Sequence, residues 1–281
     1  MNDIIEKVVT AKERSLAEKN LKNTEKREAG KTRSFSPSSL GMCNRAIVYN
    51  MAYISGEPKG YTFTAICDNG TDFHNRFEKY LKDAGLLIAN EASFKIEGFC
   101  SGRTDAIITN FREHESSDEI ITLYSEEHEL DENGRWKKDE EGNYILYNKE
   151  IYKGPNDDII LIELKSVSNK KFTRLANSSK PSIRQHVLQL QFYMKALNIK
   201  HGCLIYENKD TQKLKQFDVD YDEDIAQEAW DQCEFCTKCV EAKKLPPKLP
   251  SDRDCTFCEY CEICKPEYID EAKEIRKRWA D

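Results

Sequence analysis

Three residues on two predicted strands have the types and spacing of a metal-dependent hydrolytic site. Glu163 and Lys165 lie two positions apart in "DDIILIELKSV", so both side chains project from the same face of a strand. Asp105 lies in "SGRTDAII", at the start of a strand that we expect to pair with the Glu163 strand. Two carboxylates on adjacent strands can bind Mg²⁺ or Mn²⁺, while a lysine counters phosphate charge and orients a water molecule. The alternative is an edge strand that carries a surface ion pair.

Four cysteines recur at every third position near the C-terminus, in "DCTFCEYCEICK". Cys255, Cys258, Cys261 and Cys264 are a natural ligand set for an iron–sulfur cluster or for zinc. Their spacing approaches the bacterial ferredoxin run C-x₂-C-x₂-C-x₃-C-P but is short at the last interval. Either these four residues bind a metal centre by themselves, or a distant cysteine replaces one of them.

The remaining cysteines fall into groups with different interpretations. Three of them, at three-residue intervals on a predicted helix, could bind zinc or supply substitute ligands, although packing is the simpler interpretation: Cys233, Cys236 and Cys239. Another three are interpreted as small buried residues: Cys67, Cys100 and Cys203. The N-terminal "MNDIIEKVVTAKERS" is too charged for a signal peptide, so we expect a reducing compartment, where clustered cysteines favour metal binding over disulfides.

Charge is distributed unevenly along the 281 residues. The net charge is −7, but residues 112–158 contain fifteen acidic and six basic residues, a net of −9, so the rest of the chain carries +2. Residues 165–184 contain no acidic residue and six basic ones: Lys165, Lys170, Lys171, Arg174, Lys180 and Arg184. Such a run is either a solvated surface or a surface for nucleic-acid phosphates. No apolar run approaches the roughly 20 residues that span a bilayer, which predicts a cytoplasmic protein without membrane contact.

Hydrophobic periodicity predicts alternating helices and strands. Strands are expected around a turn at Gly98 in 93–109, and in 157–167, 201–209 and 214–221. Helices are expected in 71–84, 183–198 and 222–244, the first with its buried face formed by Phe73, Phe77, Tyr80, Leu81 and Ala84. A further helix is expected after Ser36 or Ser38 as N-cap, with Pro37 in its first turn and with Leu40, Cys43, Ile47 and Tyr49 along it.

The domain organisation follows from these elements. Residues 1–34 form a charged helical arm, 35–265 form the main domain, and 266–281 form a C-terminal helical tail. The acidic segment 112–158 interrupts two strands that would otherwise be neighbours. Turn signals at Asn133-Gly134 and Glu141-Gly142 predict an exposed β-structured insert there.

The order of motifs across about residues 35 to 265 resembles the PD-(D/E)XK nuclease superfamily, within it the RecB-like branch. "NGTDFHNRFE" is similar to that branch's G-x-x-x-H-x-x-x-E helix, with Gly70, His74 and Glu78. "GRTD" supplies Asp105, "ELK" supplies Glu163 and Lys165, and "QLQFY" is similar to the Q-x-x-x-Y helix. The long acidic insert between Asp105 and Glu163 departs from the pattern and bears on substrate access.

The resemblance implies a fold, a site and a metal. The fold is α/β: a restriction-endonuclease-like core with a mixed central sheet flanked by helices, plus a cysteine-ligated cluster region. The implied metal ligands for Mg²⁺ or Mn²⁺ are His74, Asp105, Glu163 and Leu164. The implied catalytic residues are Asp105, Glu163, Lys165, Gln189 and Tyr193, with the last two contacting DNA or supporting the site. We expect DNA-backbone contacts from the neighbouring basic residues Lys170, Lys171, Arg174, Lys180 and Arg184.

The resemblance also selects among the cysteines. Without Cys261 the C-terminal run becomes C-x₂-C-x₅-C, the signature of iron–sulfur RecB-like nucleases such as the AddB nuclease domain and the CRISPR-adaptation exonucleases. In those families the fourth ligand lies upstream of the nuclease core, in a context like "SLGMCNRAIVY". The resemblance therefore implies a structural [4Fe–4S] cluster held by Cys43, Cys255, Cys258 and Cys264.

These expectations together describe a metal-dependent deoxyribonuclease. The resemblance implies an exonuclease on single strands or duplex ends, in the recombination, repair or replication of a bacterium or phage, with a helicase or recombination protein as a plausible partner. One rival is a non-catalytic module that binds DNA ends or a partner with the same fold, although it would not need Asp105, Glu163 and Lys165 together. Another rival, a redox protein, leaves the E-x-K and Q-x-x-x-Y motifs unexplained.

Overall fold

A computed structural model describes residues 4–96, 98–251 and 253–280, so residues 1–3 of the expected arm and Asp281 of the expected tail lie outside the described residues. The chain forms two compact units. The sheet unit comprises Ser36–Gly41 and Asn69–Asp231. The cysteine unit comprises the described residues up to Phe35, the segment Met42–Asp68, and the described residues from Gln232 onwards.

The described residues contain nine strands and eight α-helices. The strands are β1 (Leu87–Asn90), β2 (Ser93–Ile96), β3 (Cys100–Arg103), β4 (Ala106–Thr109), β5 (Ile120–His128), β6 (Leu146–Pro155), β7 (Ile159–Val167), β8 (His201–Asn208) and β9 (Leu214–Asp220). The helices are α1 (Ile4–Glu28), α2 (Asn44–Met51), α3 (Tyr61–Asp83), α4 (Asn169–Ala176), α5 (Arg184–Leu197), α6 (Glu223–Glu241), α7 (Cys261–Cys264) and α8 (Ile269–Ala280).

A five-stranded mixed sheet organises the sheet unit, in the order β1-β4-β7-β8-β9. The central strand β7 pairs antiparallel with β4 and parallel with β8. Its run of Ile and Leu is buried on both faces, as its sequence predicts. The parallel step from β7 to β8 requires a crossover, which α4 and α5 supply.

Helices cover both faces of this sheet. Phe73 and Leu81 of α3 pack against one face, in a cluster with Ile160 and Ile162 of β7. The other face, where the odd-numbered residues of β7 project, is covered by α5, whose Leu190 is fully buried. The predicted fold class, a mixed α/β protein with a mixed central sheet between helices, is confirmed.

The acidic insert joins two strands that are neighbours in the sheet. β4 and β7 pair directly, with Ala106 opposite Ile162 and Thr109 opposite Ile159. Between them the chain leaves the central sheet and forms a separate antiparallel pair, β5 with β6. The predicted β-structure of this segment is therefore present, and its turns lie at the two predicted Gly positions.

The prediction of one continuous helix after Pro37 is wrong. Pro37–Ser39 form a single 3₁₀ turn, and α2 begins only at Asn44, with Cys43 as its N-cap residue instead of a position inside the helix. Gly41 lies between them with φ of +74°, a left-handed conformation that a continuing helix cannot contain. Ser36 precedes the 3₁₀ turn but makes no side-chain capping bond.

Two burial expectations for α3 are also wrong. The helix begins at Tyr61, ten residues before the predicted start, and the first turns of this extension are largely exposed. Cys67 lies in that extension and is exposed, whereas Cys100 and Cys203 are buried as expected. At the other end Tyr80 and Ala84 are exposed, because only the Phe73–Leu81 stripe meets the sheet. None of the described helices has the length and apolar content needed to cross a membrane.

Candidate active site

The end of the β4–β7 ladder creates the candidate site. The ladder stops at the pair Ala106–Ile162, so the backbone of Leu164 extends beyond it. Asp105, immediately before β4, replaces the missing backbone partner, because its Oδ2 accepts a 2.6 Å hydrogen bond from the Leu164 N–H. The carbonyl oxygen of Leu164 lies 3.0 Å from Nε2 of His74. Side chains therefore satisfy the backbone groups that the missing strand would have paired.

Glu163 is a buried carboxylate without directed hydrogen bonds. Only 1% of its side chain is exposed, and no described group donates a well-oriented hydrogen bond to either oxygen. Burial, followed by the charge of Asp105, raises its pKa to about 7. An uncompensated buried carboxylate is costly, and it is the type of ligand that a hard cation binds.

Lys165 is the cation that faces this carboxylate. Its Nζ lies 2.5 Å from Oε1 of Glu163, an ion pair off the hydrogen-bond direction, and it donates a 3.1 Å hydrogen bond to Oε1 of Gln189. Burial opposes the charge on the ammonium, but the Glu163 and Asp105 carboxylates outweigh it and raise the Lys165 pKa. Lys165 is thus held protonated beside the two carboxylates.

Helix α5 contributes the second layer of the site. Gln189 and Tyr193 lie one turn apart on the same face, and Nε2 of Gln189 donates to the Tyr193 hydroxyl at 3.4 Å. Phe94 packs edge-on against the Tyr193 ring, with 5.6 Å between centroids. Gly102 of "SGRTD" lies against both rings, because a Cβ there would be 2.6 Å from Phe94 and 2.9 Å from Tyr193. Only glycine fits at that position.

His74 of α3 bridges two oxygen acceptors. Its Nδ1 lies 3.3 Å from Oδ1 of Asp105, and its Nε2 faces the Leu164 carbonyl. Burial lowers the pKa of the imidazole, but the hydrogen bond and charge of Asp105 outweigh burial and raise the pKa overall. The two ring nitrogens of His74 therefore face oxygen atoms of two other expected metal ligands, Asp105 and Leu164.

Glu78, the third residue of the predicted α3 motif, lies beside this group. Its Oε2 accepts a 3.0 Å hydrogen bond from the amide of Asn90. Its Oε1 is buried and has no hydrogen-bond partner among the described residues. Burial raises the pKa of Glu78. Gly70 has only an ordinary contact with the Ser166 hydroxyl.

Sequence reasoning missed two residues beside Lys165. Tyr206 of β8 is paired with Lys165 in the β7–β8 ladder, and its hydroxyl lies 3.1 Å from Nδ1 of His186. Burial, followed by the charges of Lys165 and Lys171, lowers the pKa of His186 to about 3, so this imidazole is neutral. The signal was available: His186 precedes Gln189 by three residues and therefore shares its helix face.

The expected DNA-binding residues are exposed but do not form one group. Lys170, Lys171 and Arg174 project from α4, while Phe172 and Leu175 anchor that helix. Lys180 and Arg184 instead line a groove together with Asp218, Asp220 and Asp222. Arg184 also forms an ion pair with Glu228. Of the α4 residues, Lys171 acts electrostatically on His186, which lies beside Lys165.

The cysteine unit brings the expected cluster ligands into one neighbourhood. Cys43, Cys258 and Cys264 pack together around Tyr49 and Tyr260. Cys255 packs with Cys261 against Tyr268 and Ala272. The pKa of Cys255 and of Cys258 is raised by burial first, and then by interactions that include both Cys43 and Cys264.

Cys261 lies in the same group of thiols as the C-terminal expected ligands. Burial, followed by Cys255 and Cys264, raises its pKa, and Cys261 in turn raises the pKa of Cys258. Cys236 of α6 interacts with Cys43: burial, Cys239 and Cys43 raise the Cys236 pKa to about 12, and its Sγ lies 3.9 Å from the Asn44 carbonyl. Cys233 and Cys236 of the second cysteine run are buried, whereas Cys239 is partly exposed.

No group of three or more His, Cys, Asp or Glu side chains in the described ranges is arranged to hold a metal ion. At the carboxylate site, the His74–Asp105 contact and the Glu163–Lys165 ion pair occupy the ligand atoms. The donor types nevertheless fit: oxygen and imidazole ligands at one site, thiols at the other. Binding at either site requires the side chains to close around the ion.

Comparison with known proteins gives structural likenesses only. No protein-family model matches the chain, and no curated protein matches it. The solved structure of the protein SSO0001 is 18% identical, with a TM-score of 0.44, over 87% of this chain and 94% of that one. The alkaline exonuclease LHK-Exo from Laribacter hongkongensis is 11% identical, with a TM-score of 0.46, over 78% of this chain and 93% of that one. Because these identities and TM-scores are low, the function is inferred from the geometry of the site itself.

Proposed function

We propose that the protein is a metal-dependent deoxyribonuclease whose site contains Asp105, Glu163 and Lys165. One observation carries the proposal: Glu163 is fully buried, makes no directed hydrogen bond to a described residue, and faces Lys165 beside a second carboxylate. A purely structural role would favour an apolar residue here, because an imperfectly paired buried charge costs stability. A divalent cation would compensate that cost.

Asp105, Glu163, His74 and the Leu164 carbonyl would hold Mg²⁺ or Mn²⁺. Such an ion supplies Lewis-acid stabilisation of charge on a phosphoryl oxygen. His74, whose ring nitrogens face Asp105 and the Leu164 carbonyl, would have to present an unprotonated nitrogen to the ion. The donors are those of a hard-cation site, with hydrogen bonds from the strand backbone fixing Asp105.

Lys165 is the residue that would act on the scissile phosphodiester. Its ammonium counters phosphate charge and holds a proton close to the reacting oxygens. Gln189 keeps the ammonium in place through its 3.1 Å hydrogen bond, and Tyr193 in turn holds Gln189. The neutral His186 adds no positive charge that would repel Lys165.

The substrate, the cellular role and the partner class are proposed from the resemblance of the motifs. We propose an exonuclease on single strands or duplex ends, acting in recombination, repair or replication in the cytoplasm of a bacterial or phage-infected cell. A helicase or recombination protein is the proposed partner class. The exposed α4 residues Lys170, Lys171 and Arg174 would contact the DNA backbone, with Lys180 and Arg184 as outer contacts.

For the cysteine unit we propose a structural [4Fe–4S] cluster. The resemblance of the motifs selects Cys43, Cys255, Cys258 and Cys264 as its ligands, and the packing of Cys43, Cys258 and Cys264 against one aromatic cluster supports that choice. Four thiolates are the usual ligand set of such a cluster. Zinc is the alternative metal for the same ligands.

A direct assay separates the nuclease from a non-catalytic DNA-binding module. Purified protein is incubated with labelled single-stranded, linear duplex and closed circular DNA, with Mn²⁺ or with EDTA. Mn²⁺-dependent release of nucleotides from linear substrates, with circles intact, is expected. Binding of all substrates without any cleavage in Mn²⁺ or Mg²⁺ would contradict the proposal, and rapid cutting of circles would replace exonuclease by endonuclease.

A further inference from the structure

The distal half of the acidic insert forms a small meander with two turns of the same design. We call residues 128–147 the insert tip. At the first turn, Oδ1 of Asp131 accepts hydrogen bonds from the N–H groups of Asn133 and Arg135. At the second, Oδ1 of Asp139 accepts in the same way from Glu141 and Asn143. These bonds, with backbone pairing between 129–131, 135–139 and 143–145, give the tip a defined shape.

Three aromatic rings form a cluster on this tip. The ring of His128 stacks on Trp136, with 4.2 Å between centroids and 16° between planes. Tyr144 meets both rings edge-on, at 5.3 Å from His128 and 5.4 Å from Trp136. Trp136 is nevertheless 57% exposed and Tyr144 is 48% exposed. Apolar side chains beside them are exposed too: Leu130, Leu146 and Tyr147.

Carboxylates surround this aromatic surface. A groove of about 540 Å³ runs beside it, lined among others by Glu126, Glu127, Glu129, His128 and Trp136. Two of these carboxylates pair with lysines of the insert, Glu127 with Lys149 and Glu129 with Lys137. Glu91, which also lines the groove, pairs with Arg103. Among the described residues these remaining acidic side chains of the groove and turns have no ion-pair partner: Glu126, Asp131, Glu132, Asp139, Glu140 and Glu141.

The aromatic cluster already accommodates one cation. The ammonium of Lys138 lies 4.8 Å from the centroid of the Tyr144 ring. A second cation would meet the exposed part of Trp136 in a groove that Glu126, Glu127 and Glu129 also line. Aromatic faces attract cations, and carboxylates pair with them, so the two features favour the same ligand chemistry.

We propose that the insert tip docks an arginine-rich basic segment of a partner protein. Arginine suits this surface better than lysine, because its planar guanidinium stacks on an indole while its N–H groups pair with carboxylates in a fork geometry. Charge complementarity decides the occupant. Nucleic acid would bring phosphates towards a segment of net charge −9, and a second copy of this chain would bring a net charge of −7.

The test uses the full-length protein and fluorescent octa-arginine and octa-lysine peptides, with anisotropy measured at low and at physiological salt. We expect octa-arginine to bind about tenfold more tightly than octa-lysine at physiological salt. Trp136→Ala should weaken octa-arginine binding about tenfold. Phe111→Ala is the matched control, because Phe111 is 65% exposed but does not line the groove, and it should change nothing.

A second variant guards against local unfolding of the tip. Trp136→Leu keeps an apolar side chain against His128 but removes the indole face, so octa-arginine should lose most of its advantage over octa-lysine. Equal affinity for the two peptides, unaffected by either variant, would overturn the proposal and leave a non-specific acidic surface. A loss of single-stranded DNA binding or of self-association in Trp136→Ala would overturn it in favour of those occupants. DNA cleavage by Trp136→Leu should stay at the wild-type rate, so this result is independent of the nuclease proposal.

Discussion

The carboxylate–lysine site takes its residues from strands that pair side by side, whereas the cysteine cluster takes its residues from segments more than two hundred positions apart. Glu163 and Lys165 are placed by one strand, and a single backbone hydrogen bond attaches Asp105 to that strand. Cys43 packs with Cys258 and Cys264 around Tyr260, and its segment is joined to the C-terminal one by scattered contacts, such as the hydrogen bond that the Glu57 N–H donates to the Glu259 carbonyl. Each site is therefore expected to depend on its metal in a different way.

The two sites differ in the contacts that hold the expected ligands in place in the absence of metal. At the first site a ladder of backbone hydrogen bonds fixes the ligand positions, so a metal ion adds chemistry to a formed framework. At the second site the thiols, of which Cys255 is buried and the other three are partly buried, belong to different segments, and metal binding would add bonds between those segments. Loss of metal should abolish cleavage at the first site and should lower the free energy of unfolding through the second site. The predictions below test that contrast.

The largest expected effect is on catalysis. Asp105→Ala, Glu163→Ala and Lys165→Ala should each lower Mn²⁺-dependent cleavage by about 10³-fold or more, because each would remove a proposed metal ligand or the charge proposed to face the phosphate. DNA binding, measured by anisotropy, should largely survive. Glu150→Ala is the matched control, since Glu150 is an exposed carboxylate of the insert. Wild-type rates in any of the three site variants would remove that residue from the mechanism.

The next effect is on the cysteine unit. Anaerobically purified protein should be brown and contain about four irons per chain, as a cysteine-ligated cubane does. Cys43→Ser should bleach it and lower the free energy of unfolding by about 5 kcal/mol, the size expected for losing a cross-link across a very long loop. Thermal unfolding and iron analysis measure both effects.

Cys261→Ser is the control for that experiment, because the resemblance of the motifs assigns no ligand role to Cys261. Colour and stability should persist in this variant. An essential Cys261 with a dispensable Cys43 would instead indicate a self-contained C-terminal metal site. Zinc without iron in protein kept from oxygen would preserve the cross-link and contradict the iron–sulfur assignment.

A smaller effect is expected on the pH dependence of stability. The pKa of Glu163 is raised from 4.5 to about 7 in the metal-free fold, so its stabilising contribution is complete below pH 4.5 and is lost as pH rises through about 7. The loss amounts to at most about 3 kcal/mol. Denaturant unfolding in EDTA should therefore show lower stability at pH 8 than at pH 5, and Glu163→Gln should reduce that difference.

Metal should reverse this trend. Mn²⁺ binds the ionised carboxylate, so the stabilisation that it adds to the wild-type protein should be larger at pH 8 than at pH 5. Glu163→Gln should show little Mn²⁺ stabilisation at either pH. Equal Mn²⁺ stabilisation of both proteins would mean that the ion binds elsewhere.

The smallest effect is expected from the basic run. Replacing Lys170, Lys171 and Arg174 by alanine should weaken single-stranded DNA binding and flatten its salt dependence by about 2 in log–log slope, at about 0.7 per phosphate contact. A triple variant of Lys79, Lys82 and Lys213, exposed residues with the same total charge, should leave the slope unchanged. If both triple variants behave alike, the α4 residues are a solvated surface.

Much of the fold could be predicted from the sequence because its signals are local. The aliphatic run before Glu163 predicts a central strand, and the Gln189–Tyr193 spacing predicts a shared helix face, which their hydrogen bond confirms. The pairing of β4 with β7 across the acidic insert was also predictable, since both strands are apolar and the insert is not.

The remaining features depend on contacts between distant parts of the chain. Gly41 breaks the expected helix, and periodicity does not report the left-handed turn there. His186 of α5 contacts Tyr206, a residue twenty positions away on strand β8. Cys67 is exposed in the N-terminal part of α3 that periodicity did not predict. Sequence patterns predict which face of a helix or strand is buried, but they do not predict where along the element that burial ends.

The most direct test of the carboxylate–lysine site is the location of bound Mn²⁺. Crystals grown with Mn²⁺ should show an anomalous-scattering peak between the Asp105 and Glu163 carboxylates, with the Leu164 carbonyl and His74 turned towards it. Crystals of Glu163→Gln grown in the same way should lack that peak. A wild-type crystal with Mn²⁺ bound only elsewhere, and with the His74–Asp105 and Glu163–Lys165 contacts unchanged, would contradict the account.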